Sequence, residues 1–65
     1  MKFKIGDRVR AIKGDVWFAA GDVGAVCEIP TWYGAASVMV KFDTPRLGDG
    51  RWYVAEKNLE KETEQ

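Results

Sequence analysis

The chain has 65 residues, 46% of them hydrophobic, with ten basic and ten acidic side chains that cancel to a formal net charge of zero. One cysteine and no histidine exclude an intrachain disulfide and a Cys/His zinc site, the two usual staples of a domain this small. A neutral balance also argues against tight non-specific binding to nucleic acid, although Glu60, Glu62 and Glu64 crowd the last six residues and leave the body before them mildly basic. A single domain of this length buries only about 60% of its unfolded surface. Apolar burial then barely offsets the ordering entropy, so association with another chain is the staple that is left. No apolar run approaches the ~20 residues of a membrane span and no signal-peptide pattern opens the chain, so with its lone thiol it is expected in the cytoplasm.

In chain order, Met1–Ile5 alternates, with Phe3 and Ile5 expected on one side. Gly6-Asp7 turns into a first strand over Arg8–Ile12, with Val9 and Ala11 inward and the arginines wet. Val16-Trp17-Phe18-Ala19-Ala20 is apolar but too short for a helix. It is expected to be a loop whose aromatic tip folds back onto the domain. Val23–Ile29 is the second strand, where Gly24 marks a bulge or a close backbone approach. Pro30 ends it, and Thr31-Trp32-Tyr33-Gly34 is a turn. The third strand alternates strictly, with Val38, Val40 and Phe42 in and Ser37, Met39 and Lys41 out. Residues 43–50 carry the turn formers of a loop, Arg51–Val54 is a fourth strand, and residues 55–58 are one 3-10 turn before a last pairing at Leu59-Glu60. Residues 1–60 therefore form one all-β domain of five strands, and 61–65 a frayed acidic tail.

Gly6-Asp7-Arg8-Val9-Arg10, then Gly21-Asp22-Val23-Gly24-Ala25-Val26, then Val38-Met39-Val40-Lys41-Phe42-Asp43 resemble SH3-like barrel domains over nearly the whole chain. Similar openings occur in KOW modules of translation and transcription proteins, in the photosystem I accessory subunit and in nitrile hydratase β chains. The Trp52-Tyr53-Val54-Ala55-Glu56 ending is similar to that of many short phage and bacterial proteins. The resemblance implies a small five-stranded SH3-like barrel and a phage or prophage origin, and it specifies fold far more than function. Arg8-Val9-Arg10 with Gly14 and Trp17 also resembles the type II, trimethoprim-resistant dihydrofolate reductases, oligomeric enzymes of the same fold that use NADPH. That family lines its pore with Val-Gln-Ile-Tyr. Here the matching stretch reads Arg51-Trp52-Tyr53-Val54, and Lys13 is the nearest counterpart of the pore lysine. The departure implies no reductase activity, and no catalytic, cofactor or metal-binding residues are expected.

Three tryptophans among eight aromatics are many for so small a core. Phe3, Phe42 and Trp52 suit the interior. Trp17, Phe18, Trp32, Tyr33 and Tyr53 are harder to hide and are the candidate contact residues for a protein partner or for a second copy of the chain. The competing reading is that Trp17 and Phe18 cap the end of the domain. Arg8, Arg10, Lys41 and Arg51 are expected on one outer face, a candidate nucleic-acid surface or simply a solvated strand face. Cys27 reads as a small, half-buried residue and not as a nucleophile, and Asp43 and Asp49 as turn formers. The expectation is a non-catalytic interaction or assembly module.

Overall fold

A computed structural model describes residues 3–30 and 36–62. Five antiparallel strands form one sheet: β1 (Arg8–Ala11), β2 (Val23–Glu28), β3 (Ser37–Phe42), β4 (Arg51–Ala55) and β5 (Leu59–Lys61). A single 3-10 turn over Glu56–Asn58 precedes β5, and the strand order is β4-β3-β2-β1-β5. The first four strands thus form a meander, and β5 returns across the sheet to pair with β1. The all-β architecture, the strand count and the position of the 3-10 turn agree with the alternation and turn signals of the sequence. Among the described residues, no helix is long and apolar enough to cross a membrane.

Residues directly opposite one another on neighbouring strands point to the same face. The pairs Val9–Gly24, Gly24–Phe42, Val26–Val40, Val38–Val54 and Ala11–Leu59 therefore place one continuous apolar surface on the inner side. Together with Phe3 and Phe18, these residues make the buried core, with Trp17 and Ile29 packed against its rim. Burying a Val, Leu or Phe side chain is worth about 1.5–3 kcal/mol, and this cluster is the main stabilising term of the domain.

Four details depart from the sequence reading. Phe3 is fully buried but Ile5 is 66% exposed. The cause is a turn, closed by the Asp7 N–H donating to the Lys4 carbonyl and the Lys4 N–H donating to the Asp7 carboxylate, which breaks the alternation between them. Trp52, expected in the core, is 36% exposed. It shares the inner face with Val40 and Val54, but it sits on a terminal strand with a neighbouring strand on only one side. Residue 61 is paired: β5 includes Lys61, and the Glu62 N–H donates to the Arg8 carbonyl at 2.9 Å, carrying the ladder one residue further. Last, the bulge of β2 lies at Val26–Glu28, where Cys27 is the extra, half-buried residue.

Gly24 is instead a close backbone approach. A Cβ there would meet the Lys41 carbonyl oxygen at 2.4 Å and the Phe42 Cα at 2.8 Å. Both obstacles are backbone of β3 and cannot swing aside. Gly24→Ala is therefore expected to destabilise the domain by about 3 kcal/mol, the upper end of overpacking costs. The check is a fall in the denaturant midpoint with an unchanged m-value.

Candidate interaction surface

The candidate contact residues fall into two groups, set by the β1–β2 loop and by the outer face of the sheet. The loop is tied at its base, where the Ala11 N–H donates to the Asp22 carbonyl and the Gly21 N–H to the Ala11 carbonyl, both at 2.8 Å. Gly21 sits at φ 94°, a left-handed conformation that side chains disfavour, and there the chain turns back into β2. Nearer the tip, the Asp15 N–H donates to the Phe18 carbonyl at 2.7 Å and the Asp22 N–H to the Ala19 carbonyl at 3.0 Å. This folding sends consecutive rings to opposite destinations. Phe18 turns inward, 4% exposed, and stacks on Phe42 with centroids 5.0 Å apart. Trp17 turns sideways over the end of β4 and stacks on Trp52, centroids 4.2 Å apart and planes 19° from parallel.

Phe18 is accordingly corrected from a contact residue to a core residue, because its ring fills the interior against Phe42. Trp17 remains half-buried at the surface, beside Val16, which is 72% exposed. Tyr53 is 38% exposed but stands opposite Met39 on the outer face, so strand alternation separates it from Trp52 and from the stack. Trp32 and Tyr33 lie outside the described residues. The sequence reading missed Trp52 as a surface ring; its place on the last strand of the meander was the available signal.

The loop is also clamped from the side. The Arg46 guanidinium makes a two-pronged contact with the Asp22 carboxylate, Nε to Oδ2 at 2.8 Å and a terminal nitrogen to Oδ1 at 2.9 Å. The Ala19 N–H donates to the same carboxylate at 2.9 Å. The hydrogen bonds from Arg46, then that from Ala19, lower the Asp22 pKa from its ordinary 3.8 to about 2. One carboxylate thus pins the β1–β2 loop to the β3–β4 loop.

On the outer face the register lines up Arg51, Lys41, Ala25 and Arg8 across four strands, a row about 14 Å long at ~4.8 Å per strand. Arg10 follows in a neighbouring row, opposite Val23 and Glu60. The four cations do share one face, but carboxylates accompany most of them. Arg8 pairs with Asp43 and, at 3.5 Å, with Glu62. Arg10 pairs with Glu60 at 2.9 Å and Arg51 with Asp49 at 2.6 Å. Hydrogen bonds from Arg8 and from Arg51 hold the Asp43 and Asp49 carboxyls below their ordinary range. Among the described residues, Lys41 is the one cation of the four without an ion pair. A phosphate arriving here has to compete with carboxylates already in place.

Among the described residues there is no pocket and no cluster of groups arranged to hold a metal ion. No protein-family model, no curated protein and no solved structure matches the chain.

The Asp22 clamp gives a pH prediction. A carboxylate whose folded pKa is depressed stabilises the fold above its unfolded pKa, near 3.8, and that stability is lost as pH falls toward about 2. Arg46→Ala should therefore cost on the order of 1 kcal/mol at pH 6, after allowance for partial exposure, and progressively less toward pH 2. Urea unfolding of both chains across this range reads the converging difference.

Proposed function

We propose that this chain is a small cytoplasmic interaction module that binds an extended apolar segment of a protein partner on the Trp17–Trp52 stack. The observation that carries the reading is that two indoles spend their faces on each other at the surface. Phe18, the residue after Trp17, supplies the ring that the core needs. Rigid, partly exposed rings give contact area at little entropic cost, which is why aromatic-lined surfaces recur in peptide recognition. The loop bearing Trp17 is held at its base and by Arg46, so the surface is largely preorganised. The SH3-like resemblance supports the same reading, since the meander with a returning fifth strand suits such a barrel.

Nucleic-acid binding through Arg8, Arg10, Lys41 and Arg51 is the weaker reading. Net charge is zero, and three of the four cations already face carboxylates. Exchanging one anion for another on such a face gains little.

A titration of the isotopically labelled chain with proline-rich and apolar peptides, and separately with single-stranded oligonucleotides at low salt, tests both. The expected outcome is that peptides shift the indole N–H signals of Trp17 and Trp52. Trp17→Ala should abolish binding while the thermal transition stays cooperative. Oligonucleotide shifts along Arg8, Lys41 and Arg51, without peptide shifts at the indoles, would replace this reading with the second.

A further inference from the structure

We propose that the Asp22–Arg46 fork is an ionic latch on the Trp17–Trp52 surface. Arg46 is a positioning residue that sets how tightly an apolar peptide is held without touching it, and it makes that affinity sensitive to salt. The inference rests on the peptide reading above and adds to it what regulates the surface.

The two rings of the stack are held by different means. Trp52 belongs to the sheet, where β4 pairs with β3 from Arg51 to Ala55 and sets Trp52 opposite Val40. The loop that leads into β4 is closed at its base by the Phe42 N–H, which donates to the Gly50 carbonyl at 2.9 Å. Trp17 belongs to no strand. Phe18 anchors the next residue in the core, but one buried ring fixes a point and not the direction of the chain on either side of it. Trp17 is therefore the ring that can move, and its place over Trp52 depends on how the β1–β2 loop is folded.

Asp22 sets that fold. Two residues beyond Trp17, the Ala19 N–H donates to Asp22 Oδ2 at 2.9 Å, and the Asp22 N–H returns a bond to the Ala19 carbonyl at 3.0 Å. These bonds close the turn by which the chain leaves Trp17 and Phe18. An aspartate side chain left to itself can change rotamer and give its oxygens to water. Arg46 prevents this by taking both oxygens, Nε to the same Oδ2 at 2.8 Å and a terminal nitrogen to Oδ1 at 2.9 Å. A two-pronged contact fixes orientation as well as distance, which a lysine does not do. Arg46 thus acts on Trp17 through Asp22 and Ala19, from a position 24 residues beyond Asp22 in the chain.

Exposure separates this pair from the others. The Asp22 side chain is 15% exposed, the lowest value among the carboxylates of the described ion pairs, whereas Arg46 is 51% exposed. The carboxylate is largely shielded, while the guanidinium stands in solvent, where dissolved ions screen it. With the latch loosened, Trp17 leaves the face of Trp52 for part of the time. The stacked form is the one that holds a peptide, so the apparent Kd rises as the inverse of the stacked fraction. An uncharged peptide offers salt nothing to screen, and salt then weakens its binding through the latch.

Stacked indoles couple their transitions and give a paired positive and negative band in circular dichroism, which reads the stack without any ligand. The binding probe is a peptide of alternating proline and leucine with blocked ends and no charge, titrated by calorimetry at a temperature where every variant is folded. Arg46→Gln removes the charge and keeps most of the stem. It should weaken binding by about fivefold and shrink the band pair by the same factor. Raising salt from ~50 mM to ~500 mM should lower both readouts in the unmodified chain and change little in Arg46→Gln. Arg46→Lys should bind with intermediate affinity and keep the salt dependence. A band pair and a Kd that Arg46→Gln leaves unchanged, with a lower thermal midpoint, would reduce the fork to a stability role and overturn the latch. Salt dependence that is absent from the unmodified chain, or that persists in Arg46→Gln, overturns it too. Failure of the peptide reading looks different: the unmodified chain ignores the probe, or Trp17→Ala binds it equally well, and either result removes the surface and the latch together.

Discussion

The contact between Phe18 and Phe42 governs how this small domain presents itself. Phe42 ends β3 and lies opposite Gly24, where the backbone approaches too closely for any side chain. A second ring must come from outside the sheet to complete the core there, and the β1–β2 loop supplies it. Once Phe18 is fixed, the next residue back, Trp17, is carried out to the rim, where Trp52 is the surface it stacks on. Core packing thus sets the position of the exposed aromatic pair.

Electrostatics follows the same division between fixed and solvated. The Asp22–Arg46 fork is partly buried and joins the β1–β2 loop to the β3–β4 loop, so it serves as a structural clamp. The pairs along the outer face are exposed at both partners, and such pairs contribute little to stability. Their effect is to turn a row of cations into a neutral surface. A face that reads as basic when only the strands are considered becomes balanced once the loops and the last strand bring Asp43, Asp49, Glu60 and Glu62 beside it.

Edge protection is equally uneven. Charged, short β5 resists pairing, whereas β4 is longer and pairs with β3 without a bulge.

Alternation alone determined the strands, the inward set Val9, Ala11, Val38, Val40, Phe42 and the outward row of Arg8, Arg10, Lys41 and Arg51, because side-chain direction in a strand has a fixed period of two. It also marked Gly24 as special, since a strand has no other use for a glycine at its centre. What it left open was every property that depends on which strand lies beside which. Whether Trp52 is inside depends on β4 being terminal, and whether the arginines are free depends on carboxylates 35 and 50 residues away in the chain. The fates of Trp17 and Phe18 depend on a loop folded by backbone bonds that no local pattern announces. The ring stacks, ion pairs and strand neighbours are long-range contacts, and only the tertiary fold brings their partners together.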